Sequence, residues 1–353
     1  MGQNVTLNAQ SAMEKYRLKR GAWGYFLALM AGLTYPFLNS FWVLAQGNVP
    51  YTTIGSTFAE IALIGIVVAT VSDFFAAGWM LVWNIPHHKG REYIRVLKSR
   101  SGKWCVLAGI LGGPVAMSTV CVAIFLCPIP YVMAISAAFP VFSAIISSII
   151  LRERLNPRLV MGIVIVVIGG ALVSWGPPEG SNYPYFWLGI LLAAISSFGL
   201  ALDCCVGTYG MDMVDPSVAV GIKLFASAAT NGIIMVPIFA AFTSGGILFG
   251  WEFLGTALTV WPYVLLMVAG AIFGAVTWTV NYNSMAIIGA SRGTAINASF
   301  ALWGIPVSLL FSALGLIPYE VTTLCIVGAC VLFVGSVMVV MNPKELLNIR
   351  SHS

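Results

Sequence analysis

Long uninterrupted apolar runs recur along the whole chain and are separated by short polar connections. A helix needs about 20 such residues to cross a bilayer, because the hydrocarbon core is about 30 Å thick and a helix rises about 1.5 Å per residue. The runs are apolar on every side, which indicates helices and not the alternating strands of a membrane barrel. Only 8% of the residues are charged, against about 25% in soluble domains. Ten spans are predicted, at 21–46, 55–84, 104–126, 130–150, 159–175, 185–208, 216–242, 259–286, 291–314 and 319–341.

Lysine and arginine residues occupy alternate connections between these spans. They precede span one, lie between spans two and three, four and five, and eight and nine, and follow span ten, whereas the opposite connections contain neither residue. Basic connections stay on the cytoplasmic side. We therefore predict cytoplasmic tails at 1–20 and 342–353 and a location in a plasma membrane, such as a bacterial inner membrane. The net charge of +5 is then a topological signal and indicates no nucleic-acid partner, because no aromatic residues are interleaved with the basic ones.

The two halves of the chain match each other at a shift of 161 positions. Gly109 meets Gly270, and Ala-Ile-Ser-Ala-Ala-Phe at 134–139 meets Ala-Ile-Asn-Ala-Ser-Phe at 295–300. A register held over about two helices predicts an internal duplication.

An odd number of spans in each copy inverts the second copy in the membrane. The chain is therefore predicted to be an all-α polytopic membrane protein, with ten transmembrane helices as two inverted five-helix repeats at 21–175 and 185–341. Inverted repeats are a recurring architecture of secondary transporters, in which exchanging the conformations of the two halves gives alternating access. We expect a transporter and not an enzyme.

Span four and its exit carry a motif that is similar to a known family. Ala-Phe-Pro-Val-Phe at 138–142 is followed by Leu-Arg-Glu-Arg-Leu at 151–155, and span five contains Gly162 and Gly169. These residues resemble the EamA-type repeat of the drug/metabolite transporter (DMT) superfamily. The second copy departs from the pattern, because its exit at 314–318 lacks the acidic–basic pair.

This resemblance implies ten helices and transport of a small solute, often with proton or exchange coupling. Efflux of an amino-acid-like metabolite is the favoured hypothesis, and proton-coupled sugar uptake and nucleotide-sugar exchange are the alternatives. Small residues let helices approach closely. The glycines of spans five and ten therefore predict either a homodimer seam or tight packing within one chain.

Four ionisable residues lie within the predicted spans, where a charge costs about 2.5–3.5 kcal/mol on insertion scales. Asp73 lies about 16 Å from the inner end of its span and is the leading candidate for proton coupling or substrate contact. Glu60 lies near the outer end of the same span and is a further candidate for coupling or gating. The alternative is that interfacial water solvates it there. Asp203 ends span six and Lys223 opens span seven, so the connecting hairpin predicts an ion pair. That pair is either structural or part of gating or coupling.

Polar and aromatic residues inside several spans predict a substrate cavity. Tyr35 and Asn39 are four residues apart and share one helical face, and span eight adds Trp278, Asn281 and Tyr282. Amides suit a neutral cavity because they donate and accept hydrogen bonds without a charge. For each residue the alternative is interhelical hydrogen bonding or packing. The predicted substrate-binding residues are Tyr35, Asn39, Trp42, Ser136, Phe139, Trp278, Asn281, Asn297, Phe300 and Trp303.

The sequence lacks the HExxH motif and paired aspartates at metal-binding spacing. Its seven cysteines lie in or beside apolar runs without CxxC spacing, so we expect no metal, cofactor or structural disulfide. It also lacks a repeated channel filter or an arginine-rich voltage helix, and a non-transport membrane receptor is a distant alternative. The expected partners are a small-molecule substrate and membrane lipid.

Overall fold

The computed structural model shows a helical chain. It describes residues 2–55, 57–126, 132, 135–136, 138–153, 155–174, 185–211, 214–261, 263–317 and 323–340. Within these ranges there is no β-strand. Residues 2–20, predicted as a tail, form the beginning of the first helix, and the predicted tail at 342–353 lies outside the described residues.

The helices divide at the middle of the chain. The first half contains α1 (Gly2–Gln46), α2 (Phe58–Asn84), α3 (Gly90–Leu97), α4 (Arg100–Ile110), α5 (Ser118–Leu126), α6 (Phe139–Ile150) and α7 (Pro157–Ser174). The second half contains α8 (Phe186–Gly210), α9 (Pro216–Thr230), α10 (Val236–Ala240), α11 (Gly246–Thr259), α12 (Tyr263–Ile288), α13 (Ala290–Asn297), α14 (Phe300–Ala313) and α15 (Thr323–Val340). A π-helical turn joins α4 to α5 at Leu111–Met117, and another joins α9 to α10 at Asn231–Met235.

Seven helical stretches in the described part of the chain are long and apolar enough to cross a membrane. They are Lys15–Gln46, Phe58–Asn84, Arg100–Ala123, Phe186–Gly210, Pro216–Ala240, Tyr263–Ile288 and Ala290–Ala313. Shorter apolar helices at Phe139–Ile150, Pro157–Leu172 and Ile326–Val339 fall at the other three predicted spans. Large apolar side chains such as Ile149 and Phe333 are exposed on them, as a lipid-facing surface requires. The chain is therefore a polytopic α-helical membrane protein.

The connection between predicted spans seven and eight holds the additional helix α11. Its 14 residues extend about 21 Å at a rise of about 1.5 Å per residue, which is too short for a bilayer core of about 30 Å. Leu248 and Trp251 are exposed on it. These properties are typical of a helix that lies in the membrane interface.

Helices of the two halves pack against each other along their lengths. Helix α1 of the first half packs along α12 of the second, and α8 of the second half packs along α4 and α5 of the first. The halves also meet where α2 contacts α9, where α6 contacts α13 and where α7 contacts α15. The interior is consequently one shared interface, and a polar side chain of either half can meet a partner from the other.

Glycines bring α7 and α15 into close contact. A Cβ atom on Gly169 would lie 2.4 Å from the backbone nitrogen of Leu332, and one on Gly335 would lie 2.7 Å from that of Val166. The glycines of predicted spans five and ten are therefore used for packing within the chain. They give no separate support to a homodimer seam.

We expect Gly169→Ala to lower the free energy of unfolding by about 1–3 kcal/mol, because the added methyl group overlaps backbone atoms that cannot rotate away. Gly304→Ala is the matched control in α14, since no atom lies within 4 Å of its Cβ position. Thermal unfolding in detergent measures both variants. Equal midpoints would contradict the close packing of α7 on α15.

A polar network joins the connection after α2 to the beginning of α9. Lys89 Nζ lies 2.8 Å from Asp215 Oδ2, and the Ser217 hydroxyl donates to the Asn84 side-chain oxygen at 2.8 Å. Partial burial acts to raise the pKa of Asp215, but the hydrogen bonds from Lys89 and Ser217 outweigh it and hold that pKa below its ordinary value. Asp215 therefore remains ionised at neutral pH and keeps this connection in place.

Candidate functional site

A cavity lies near the middle of the spanning helices, and both halves of the chain bound it. The centre of a water-sized sphere can occupy about 30 Å³ of it, so the cavity is narrow in this state. Seven of the ten predicted binding residues line it, namely Tyr35, Ser136, Phe139, Trp278, Asn281, Asn297 and Phe300. The remaining lining residues are Met117, Val120, Ser196, Ser197, Leu200, Cys204 and Thr277.

Aromatic rings form one wall of this cavity. The ring of Tyr35 meets that of Phe300 edge-on, with centroids 5.1 Å apart, and meets that of Trp278 at 6.5 Å. The rings of Phe139 and Phe300, which are equivalent positions of the internal match, stack at 6.4 Å. The wall thus joins rings from α1, α6, α12 and α14.

Three residues that line the cavity carry buried polar side-chain atoms without a partner among the described residues. Asn281 has no solvent exposure, and neither its amide nitrogen nor its amide oxygen finds a hydrogen-bond partner among the described residues. The side-chain oxygens of Ser136 and Asn297 are in the same situation. A buried polar group without a hydrogen bond costs about 1–3 kcal/mol. These groups are therefore placed where a polar solute or water would bond them.

The other three predicted binding residues do not line the cavity. Trp42 is buried, and its ring N–H donates to the Ser72 hydroxyl at 2.9 Å. Asn39 lies one turn further along α1 than Tyr35. The ring nitrogen of Trp303 is buried and lacks a partner in the described part of the chain.

The predicted ion pair between Asp203 and Lys223 is confirmed. Lys223 Nζ lies 2.5 Å from Asp203 Oδ2, and the two side chains are 5% and 0% exposed. The Tyr282 hydroxyl donates to Asp203 Oδ1 at 2.6 Å and accepts from Lys223 Nζ at 3.1 Å. Lys223 Nζ also lies 4.0 Å from the ring centroid of Trp278, within the range of a cation–π contact. Trp278 thus separates the ion pair from the cavity.

Asp73 is buried beside this pair and is bonded to the same helix. Its carboxylate accepts a hydrogen bond from the Ser227 hydroxyl. Ser227 follows Lys223 by four residues on α9, so the two side chains are on one face and one turn apart. We call Asp73, Asp203, Lys223, Ser227 and Tyr282 the polar cluster.

The π-helical turn between α4 and α5 presses against the polar cluster. A Cβ atom on Gly112 would lie 2.6 Å from Asp203 Oδ2, and one on Gly113 would overlap the Ser227 hydroxyl. Single π-helical turns inside α-helices occur frequently at functional sites. Pro114, in the same turn, has no N–H to donate to a regular helix.

Glu60 has a local partner at the beginning of α2. Its side chain accepts from the Thr57 backbone N–H at 3.2 Å, while the Thr57 hydroxyl accepts from the Glu60 N–H at 3.3 Å. This reciprocal arrangement is a capping box, which satisfies helix N–H groups at the first turn. Glu60 thus caps the first turn of α2 and does not line the cavity.

Sequence reasoning did not single out several residues of the site. Ser196 and Ser197 line the cavity from α8, and their adjacent hydroxyls in an apolar span were the available signal. Ser227 could have been found from its four-residue spacing to Lys223. Gly113 belongs to the internal match, where it meets Gly274, but nothing in the sequence indicates that Gly112 and Gly113 contact the polar cluster.

The segment 289–293 matches the Gly-x-Ser-x-Gly pattern of hydrolase nucleophiles. That pattern requires a turn from a strand into a helix, whereas here α12 ends at Ile288 and α13 begins at Ala290. The Ser291 hydroxyl donates to the Glu153 carboxylate. Ser291 therefore lies in the first turn of a helix that follows another helix, and its hydroxyl is bonded to Glu153.

Comparisons with known proteins show a shared fold. No family model matches the chain. Protein LicB of Haemophilus influenzae is 24% identical over 205 residues, which cover 58% of this chain and 65% of LicB. The chain thus spans slightly less than two thirds of that relative. A solved crystal structure superposes with a TM-score of 0.60 at 17% identity, over 90% of this chain and 98% of the other. The likeness to that structure is one of fold, and it extends over nearly the whole length.

Proposed function

We propose that the chain is a secondary active transporter that moves a small polar metabolite by alternating access. The central cavity carries this proposal, because both halves build it and Asn281, one of its lining residues, has a buried amide without a partner among the described residues. Secondary transporters bind their substrates near the bilayer midplane at the interface between repeats. An enzyme and a non-transport receptor are less well supported, since neither requires a site shared by two matching halves.

The packing of the helices supports ten spans in two inverted repeats. Exchanging the first five spans for the last five converts the contact of α1 with α12 into that of α8 with α4 and α5. The same exchange converts the contact of α2 with α12 into that of α9 with α4. The contact between α7 and α15 is unchanged, because the exchange replaces each of these helices with the other. A pseudo-twofold axis in the membrane plane has this property. The basic connections then place both termini in the cytoplasm, and a bacterial inner membrane is the proposed location.

The motif at 138–155 supports membership of the EamA-type transporters, and efflux of an amino-acid-like solute is the favoured activity. The ring faces of Tyr35, Trp278 and Phe300 attract an ammonium group, and the amides of Asn281 and Asn297 can bond a carboxylate. Lys and Arg are absent from the described lining, which disfavours the phosphates of a nucleotide sugar. Proton-coupled sugar uptake is the second candidate, because amides also bond hydroxyl groups.

Asp73 is the proposed proton-coupling residue. The polar cluster holds two carboxylates and one ammonium group out of water, so its charges balance only when one proton is bound. An unbalanced buried charge is costly. Asp203 already has Lys223 and Tyr282 as partners, whereas Asp73 has a neutral hydroxyl. The proton is therefore assigned to Asp73, and the Asp203–Lys223 pair to gating next to the cavity.

Substrate contact by Asn281 can be tested by substitution and ligand binding. We expect Asn281→Ala to weaken binding by about 10–100-fold, the equivalent of about 1–3 kcal/mol for lost hydrogen bonds, with little change in the unfolding midpoint. Purified protein is screened by thermal shift against amino acids, amines, sugars and nucleotide sugars, and the stabilising compound is titrated into each variant. Asn283→Ala is the matched control, because that amide bonds the Thr279 carbonyl at 2.7 Å on the same helix. Unchanged affinity in Asn281→Ala would contradict this site.

A further inference from the structure

A buried carboxylate outside the cavity joins the two halves of the chain. Glu153 follows α6 and is 4% exposed. One of its oxygens accepts from the Ala290 N–H at 2.6 Å, and the other accepts from the Ser291 N–H at 3.1 Å and from the Ser291 hydroxyl. These donors form the first turn of α13. A carboxylate is well placed there, because unpaired N–H groups and the helix dipole favour negative charge.

The backbone on both sides of this contact is shaped to admit the carboxylate. Arg152 has a φ of 51°, a left-handed conformation that non-glycine residues seldom adopt. It turns the chain after α6 so that the Glu153 N–H donates to the Ser147 carbonyl at 3.3 Å. On the other side Gly289 has a φ of 89°, and a Cβ atom there would lie 2.8 Å from Glu153 Oε1. Both sides of the contact thus contain a residue with a positive φ, and such backbone conformations cluster at functional sites.

The contact joins one end of α6 to one end of α13, and the other end of each helix reaches the cavity. α13 runs from Ala290 to Asn297, which lines the cavity, so the two points are about 10 Å apart along the helix. α6 likewise runs from Phe139, on the cavity wall, to Ile150 beside the contact. Arg152 and Arg158 place this end on the side of the basic connections. The contact therefore closes the space between α6 and α13 on that side of the cavity.

We propose that Glu153 and the first turn of α13 form the inner gate latch, which must open before the cavity can reach the cytoplasm. This assignment rests on the proposed alternating-access function. In the connection after α14, the position that matches Glu153 is Leu314. An equivalent acidic contact is therefore lacking on the outer side, and the latch is specific to the inner side. It stabilises the state in which the cavity is closed to the cytoplasm, through the three hydrogen bonds that the carboxylate accepts.

Accessibility of the cavity from each face tests the latch without a known substrate. The reporter is Ser136→Cys in a background in which Cys204, which also lines the cavity, is replaced by alanine. It is labelled with a membrane-impermeant methanethiosulfonate in inside-out and right-side-out vesicles. We expect Glu153→Gln to raise the labelling rate from the cytoplasmic face about tenfold, because the hydrogen bonds of a neutral amide are weaker. Labelling from the opposite face should fall.

Gly289→Ala is a second, independent variant, because its methyl group displaces the carboxylate without changing any charge. It should shift labelling in the same direction. Glu92→Gln is the control, since Glu92 pairs with Arg95 on an exposed helix in a basic connection. Rates within twofold of the parent in both test variants, with normal elution from a sizing column, would show that the contact is only structural. A parent and two test variants that are all labelled from the same one face alone would instead contradict alternating access itself.

Discussion

Replacing Lys223 with methionine is expected to lower the free energy of unfolding by about 3–5 kcal/mol, because Asp203 then remains buried without a cation. Asp203 is fully buried, and among the residues that the structure describes its carboxylate oxygens bond only to Lys223 and Tyr282. The tyrosine hydroxyl cannot neutralise the carboxylate. Transport should fall below detection in the same variant. Thermal unfolding in detergent and flux in proteoliposomes measure the two effects.

The double variant Asp203→Asn with Lys223→Met separates stability from transport. It removes both charges, so the unfolding midpoint should return close to that of the parent, while transport stays absent if the pair gates the cavity. Buried ion pairs can often be replaced by neutral groups without loss of stability. Restored transport in the double variant would reduce the pair to a structural role. A stable Lys223→Met variant would contradict the contact itself.

Asp73→Asn is expected to abolish accumulation driven by a pH gradient while exchange across the membrane continues. The amide oxygen can still accept from the Ser227 hydroxyl, so the hydrogen bond is kept and only the titrating group is lost. With one proton per cycle, a gradient of one pH unit sustains about tenfold accumulation, since one unit is worth about 1.36 kcal/mol. The variant should show no accumulation above equilibrium under the same gradient.

Ser227→Ala is the companion variant for Asp73. It removes the hydroxyl donor but keeps the carboxylate, so proton-driven accumulation should persist with a changed pH dependence. Uptake is measured in proteoliposomes at a series of external pH values with a fixed gradient. Equal proton-driven accumulation in Asp73→Asn and the parent would exclude Asp73 as the coupling residue.

The sequence was most informative where leaving a group without a partner would cost so much free energy that few structures are possible. Burying Asp203 and Lys223 in apolar spans is tolerable only if they pair, and a short hairpin connects their spans, so the ion pair could be predicted. Helical membrane spans follow in the same way, because every backbone N–H and C=O must be bonded inside lipid. The lining of the cavity was partly predictable, since polar residues inside spans seldom face lipid.

Contacts between distant segments could not be predicted because they depend on how helices approach one another. Glu153 is seen in the sequence as part of a charged exit motif in a connection, and only the fold shows that it reaches the first turn of α13. Trp42 was indistinguishable from a cavity residue until its bond to Ser72 was seen. The composition of α11 alone does not predict its position. Its apolar run is too short to span the membrane, and a short apolar helix can lie in the interface.

Counterflow in proteoliposomes tests the central claim most directly. Vesicles are loaded with a high concentration of the compound that stabilises the purified protein, and entry of trace labelled compound is followed without any ion gradient. An alternating-access carrier should accumulate label transiently above equilibrium, and Asn281→Ala should not, whereas Asn283→Ala should behave like the parent. Label that only equilibrates, at a rate independent of the internal compound, would indicate a channel or a leak and would contradict the proposed carrier.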